Sequence, residues 1–262
     1  MASESSHINK PKPDAKLARW GYFMKLQFHP EIRLERKKGF EFAQRLMSFF
    51  DPQTTDFKSE RWLFKQPIGS SPDSYLSITV SQRDLQMHCS FPETGMELYE
   101  NKYQKLLEVF GEFFQPELIL SSSAMVRGSM AIDGDSRVFL ASDVMKIDGE
   151  RTKEFGRPIH LVGLRLFFPP FKKKGQGKKS QTEWQVDVKV ESLLEDPSQL
   201  FLEADADWSM PRDWNNDALA EEVQRLGIVQ AFLNENILKF LQFNSAANGP
   251  SQREDETPDE EN

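Results

Sequence analysis

The sequence predicts an α+β protein with two layers, a mainly antiparallel sheet covered by helices. Three observations predict it. Several segments alternate apolar and polar residues with period two, the signature of half-buried strands. Three segments place apolar residues at helical spacing instead. The two kinds of segment follow the same order twice along the 262 residues. Strands with one polar face belong to antiparallel sheets, whose other face helices can cover.

The elements follow in order. Tyr22, Met24, Leu26 and Phe28 alternate with polar neighbours as a first strand, ended by His29-Pro30. Leu34 to Phe50 reads as a helix with Ala43, Leu46, Met47 and Phe50 on one face, stopped at Asp51-Pro52. Arg61–Gln66, Tyr75–Val80 and Leu85–Phe91 are three strands, the last two joined as a hairpin by residues 81–84. Met96 to Phe114 is a helix, with Tyr99, Tyr103, Leu106, Leu107, Phe110 and Phe114 on one side. Leu118–Ile132 is a strand with a break expected at Ser121–Ser123, and Ser136–Ile147 a short helix. Ile159–Phe168, Trp184–Val190 and Leu202–Trp208 are strands. Asn216 to Phe243 closes the chain as a long helix, with Leu219, Val223, Leu226, Leu233, Ile237 and Phe240 in its apolar stripe. Both halves therefore read as pseudo-repeated β-α-β-β-β-α units. Residues 1–18 read as a flexible leader, 19–243 as a single α+β domain with halves 19–116 and 117–243, and 244–262 as a disordered acidic tail.

Composition bounds the function. Twenty-one Phe against four Tyr supply a large apolar core. No run of ~18 apolar residues is present, so no membrane-spanning helix is expected. The polar start, with Lys10, Lys12 and Lys16, lacks a signal-peptide core. A single cysteine, Cys89, excludes an internal disulfide and any multi-cysteine metal site. The protein is therefore expected in the cytoplasm. Lys plus Arg is 33 against 41 Asp plus Glu, a formal charge of −8. A net negative chain repels nucleic acid, so nucleic acid is not an expected partner. Much of the excess sits in the tail, in Glu254, Asp255, Glu256, Asp259, Glu260 and Glu261.

Few residue groups carry chemistry. Lys172, Lys173, Lys174, Lys178 and Lys179 surround two glycines. They read first as a solvated hairpin loop, and alternatively as a polyanion contact or a dock for the acidic tail. The run lacks the spacing of a phosphate loop. His7, His29, His88 and His160 are too far apart in sequence for a metal motif, and His88 and His160 read as ordinary surface or satisfied histidines. Cys89 shares an apolar face with Met87 and Phe91, so it reads as a small hydrophobe with a high pKa. Glu203, Asp205 and Asp207 project from one strand face, with Asp187 and Glu191 on a neighbour and Lys189 between. Asp187, Glu203, Asp205 and Asp207 are the candidates for a divalent cation or an acid/base pair, against the alternative of a solvated, charge-paired sheet face. Asp133-Gly134-Asp135 reads as a turn, and Ser121–Ser123 lacks the turn that a nucleophilic serine needs. Neither a dinucleotide fingerprint nor a cofactor motif is present, and no cofactor is expected. A Phe-rich space between sheet and helices is one more place for a ligand.

Two segments, Gly156–Phe168 (GRPIHLVGLRLFF) and Val190–Trp208 (VESLLEDPSQLFLEADADW), resemble a sporadically distributed family of uncharacterised bacterial proteins of about this length. The element order from Trp20 to Phe243 is similar too. The resemblance implies a bacterial, cytoplasmic α+β protein and brings no functional residues.

These features lead to an expected function without catalysis: a cytoplasmic interaction protein, a subunit of a larger assembly, with a protein partner or a second copy. The alternatives are a metal-dependent hydrolase on Asp187, Glu203, Asp205 and Asp207, and a polyanion-binding module on Lys172–Lys179.

Overall fold

A computed structural model describes residues 10–11, 17–93, 95–170 and 184–246. The tail beyond Ala246, most of the leader and the Lys172–Lys179 segment lie outside the described residues.

The strands are β1 (Lys10–Pro11), β2 (Ala18–His29), β3 (Thr54–Phe57), β4 (Arg61–Pro67), β5 (Tyr75–Ser81), β6 (Asp84–Ser90), β7 (Leu118–Asp133), β8 (Gly163–Phe168), β9 (Trp184–Ser192), β10 (Gln199–Trp208) and β11 (Arg212–Asp213). The helices are α1 (Arg36–Leu46), α2 (Met96–Phe114), α3 (Ser136–Val138, continued by a wider π turn over Phe139–Val144), α4 (Gly149–Lys153), α5 (Asn216–Phe232) and, after a π turn over Leu233–Ile237, α6 (Leu238–Ala246). The strands form one antiparallel sheet in the order β3-β4-β5-β6-β2-β7-β10-β9-β8, with the short β1 and β11 also on β7. This is the expected α+β class.

The sheet is arranged about its centre, although the first half carries a strand, β3, that the expected repeat lacks. β2 and β7, the first long strand of each half, pair at the centre. From there β6, β5 and β4 step outward on one side, and β10, β9 and β8 on the other. One sheet thus runs through both halves.

The alternation explains the layering. Tyr22, Met24, Leu26 and Phe28 of β2, Leu85 and Met87 of β6, Ala124 and Val126 of β7, and Leu202 and Ala204 of β10 are all buried. They share one face of the sheet, since partners in register point the same way. α2 and α5 lie over it, bringing Tyr99, Tyr103, Leu106, Phe110, Leu226 and Val229 into the core.

Several expectations need correction. β7 continues as a strand through Ser121–Ser123, and its irregularity lies just before them, where Leu120 is the extra residue opposite the Gln27–Phe28 step of β2. The Ser121 hydroxyl donates to the Gln27 side chain at 2.8 Å across that point. The helix expected over Ser136–Ile147 is a single α turn plus a π turn, and β8 begins at Gly163, not Ile159. The terminal helix is also rotated from its expected stripe. Phe240 is 40% exposed, whereas Glu222 and Arg225 face inward beside Leu226 and Val229. The π turn adds a residue to the helical repeat, so Leu238 and Leu241 take over the buried side.

Candidate functional site: the uncovered face of the sheet

The face opposite the helices carries the other half of the alternation. None of the described helices packs on it. Strand register sets its central row: Lys65 of β4, Ser77 of β5, His88 of β6, Phe23 of β2, Met125 of β7, Asp205 of β10 and Asp187 of β9. One row away lie Gln86, Lys25, Ser123, Asp207 and Gln185, and on the other side Arg127, Glu203 and Lys189. Phe23 and Met125 form a half-buried apolar seam at the junction of the halves.

Cations and aromatic rings gather on one side of the seam. An Arg127 Nη donates to His88 Nε2 at 3.2 Å. The His88 ring meets Tyr75 edge-on at 5.5 Å and Phe23 at 6.3 Å. Lys65 Nζ sits 3.7 Å from the centre of the Tyr75 ring. Burial first, then the Arg127 and Lys65 charges, push the His88 imidazole down to about 4. His88 is therefore a neutral, wedged acceptor, the satisfied alternative of the two readings that the sequence left open. Among the described residues no carboxylate lies within ion-pair distance of Lys25, Lys65 or Arg127.

Acids gather on the other side. The four carboxylates singled out by sequence share this face, but cations separate them. Asp187 accepts from Arg165 Nε at 2.9 Å on both oxygens, and this guanidinium holds its carboxyl below the usual range. Glu203 accepts from Lys189 Nζ at 2.6 Å. Asp205 and Asp207 have no described cation partner, and Gln185 gives Asp207 only a long contact of 3.4 Å. Burial first, then the neighbouring Asp207, Glu203 and Asp187, push the Asp205 carboxyl up to about 6, against the pull of Lys189. Among the described residues no three His, Cys, Asp or Glu side chains are placed to hold a metal ion together.

These two displaced groups predict opposite pH responses. Asp205 binds its proton more tightly folded than unfolded, so it costs stability as pH rises from about 4 to about 6, and the cost persists above that. His88 resists protonation when folded, so it costs stability as pH falls from 6.5 to about 4. Asp205→Asn should therefore raise the denaturation midpoint at pH 7.5 relative to pH 4, and His88→Gln should raise it at pH 4 relative to pH 7.5. Urea titrations at low protein concentration and both pH values check the signs.

The remaining sequence candidates fall elsewhere. Cys89 is buried on the helix side, and burial pushes its thiol up to about 12, as its apolar setting predicts. His160 is exposed in the extended segment before β8. Asp135 caps α3, accepting from the Arg137 backbone N–H at 2.8 Å, and Gly134 takes a φ of 100°, so this segment is the expected turn. Sequence reasoning missed a buried ionic cluster under the helices. Glu222 pairs with Arg212, and with Arg225 at 3.1 Å. Arg225 also donates to the Ser122 hydroxyl and lies 4.5 Å from the centre of the Trp208 ring. The i,i+3 spacing of Glu222 and Arg225 was its only sequence signal. A Phe-rich groove does exist, about 860 Å³, between Leu166, Phe168 and Trp184 of the sheet and Phe232, Ile237 and Phe240 of the terminal helix.

Among the described residues no helix is long and apolar enough to cross a membrane. Compared with protein families and with curated proteins, the chain matches none.

Proposed function

We propose that this chain is a non-enzymatic cytoplasmic interaction protein, a subunit of a larger assembly, and that it docks through the uncovered face of its sheet. The observation that carries this reading is the composition of that face. An apolar seam, Phe23 and Met125, lies between a cationic flank and an acidic flank whose charges are incompletely paired within the chain. A centre of apolar side chains with a polar surround is the anatomy of a docking surface. Catalysis asks for something different. A hydrolytic centre needs acids that converge on a reacting atom, whereas here Arg165 and Lys189 tie down two of the four carboxylates.

The test uses the full chain as bait, with a Phe23→Ser/Met125→Ser variant beside it. A protein recovered by the parent and lost by the folded variant is the expected result. Equal recovery by both would remove the face from the function. Calorimetric titration with Mg²⁺, Mn²⁺ and Ca²⁺ is expected to give no binding heat. Metal-dependent turnover by the isolated monomer would overturn the reading.

A further inference from the structure

The two flanks of the uncovered face are complementary to each other, and the sheet order gives them matching positions. β6 and β10 lie equally far from the central β2–β7 pair, as do β5 and β9. Turning a copy of the face over about an axis parallel to the strands exchanges these positions and keeps each row in place. The copy's β10 then lies over β6, its β9 over β5, and Phe23 meets the copy's Met125. We propose that this face is a homodimer interface in which each copy's acidic flank sits on the other's cationic flank.

The rows place specific groups together. The copy's Asp205 falls on the His88–Arg127 pair, because Asp205 and His88 occupy the same row on either side of the seam. The copy's Asp207 falls over Gln86, beside Lys25. The copy's Asp187 falls over Ser77, beside Lys65. Lys25, Lys65, Asp205 and Asp207 thus gain across the interface the ion partners that the described chain does not give them. Seen one at a time, such pairs between exposed groups are weak, but here they ring an apolar contact that excludes water.

The size is sufficient. At ~4.8 Å between strands and ~3.3 Å per residue, the six strands from β5 to β9 present roughly 650 Å² over seven residues. Two copies would bury about 1,300 Å², inside the range of specific interfaces. A twisted sheet on a twisted sheet packs with strands about 30° apart, which leaves the central rows in contact and the corners splayed.

The inference rests on the reading of this face as a docking surface, and charge reversal separates the two. Lys25→Glu/Lys65→Glu makes both flanks acidic, and Asp205→Lys/Asp207→Lys removes the acidic flank. Sedimentation of the parent at low salt should show a concentration-dependent dimer that weakens as salt rises. Each variant alone should dimerise at least ~10-fold more weakly, through like-charge contact. An equimolar mixture of the two should recover the dimer, since one variant then presents the acids and the other the cations. Circular dichroism of each variant establishes that it is folded, and the salt dependence of the parent supplies a readout that needs no variant. A parent that stays monomeric at every concentration, or a dimer indifferent to both reversals and to salt, would overturn the homodimer. If the parent is monomeric while the Phe23→Ser/Met125→Ser variant still loses a different protein, only the second copy is wrong and the docking face stands.

Discussion

Glu222→Ala should lower the unfolding free energy by about 3–5 kcal/mol, the cost of stripping one partner from a buried ion pair. Glu222 is fully buried, and its carboxylate holds two cations, Arg212 and Arg225. Burial pushes the Glu222 carboxyl up against the pull of both arginines, and the same burial pushes Arg225 down to about 10. Desolvation is therefore the larger effect on Glu222 and Arg225, and removing Glu222 leaves it uncompensated on the buried Arg225, while Arg212 keeps Glu221 at 2.7 Å. A typical domain has only about 5–15 kcal/mol to lose. Glu222→Gln keeps the shape and part of the hydrogen bonding, so it should fall between Ala and the parent. Replacing Glu222, Arg212 and Arg225 together by apolar residues should cost less than Glu222→Ala alone, because no lone charge remains. Urea denaturation checks the order. A Glu222→Ala loss below about 1 kcal/mol would mean that water reaches the cluster.

Phe42→Ala should cost a comparable amount, about 3–5 kcal/mol, through cavity formation. Phe42 is fully buried on α1, and its ring lies 5.4–6.3 Å from the rings of Trp62, Phe64, Phe110, Phe113 and Phe114. Through it α1 touches both the outer sheet and α2, beside the Phe40–Phe57 and Arg45–Phe113 contacts. Phe42→Leu retains most of the volume and should lose roughly 1–2 kcal/mol. Guanidinium denaturation measures both, and equal losses would show that shape, not volume, governs the site.

The strands and helices that bury one face were legible, because burial writes a period into the sequence. α2 matches its expected bounds, Met96–Phe114, with five of its six stripe residues buried and Phe114 packed against them. β9 and β10 differ from expectation only at their ends. What failed lacked a period or broke one. β3 has four residues and α4 five, too short for any periodicity to show. In the terminal helix the π turn shifts the repeat, and the inward Glu222 and Arg225 lie outside the expected apolar stripe because their partners, Arg212 and Ser122, are on strands. The four candidate carboxylates were placed correctly on one face. Their separation by Arg165 and Lys189 depends on pairing between strands, which local spacing does not encode. The position of His88 beside Arg127 was hidden for the same reason. Its neighbour belongs to the other half of the chain.

The central β2–β7 pair also sets the order of events during synthesis. β2 is made before β7, so one whole edge of it stays open until β7 has followed. During that interval β2, β6, β5 and β4 can pair, and α2 can cover them, but the sheet ends in a raw, hydrogen-bond-hungry border beside Met24 and Leu26. A truncated product that stops after α2 would keep that border permanently and would be sticky in proportion.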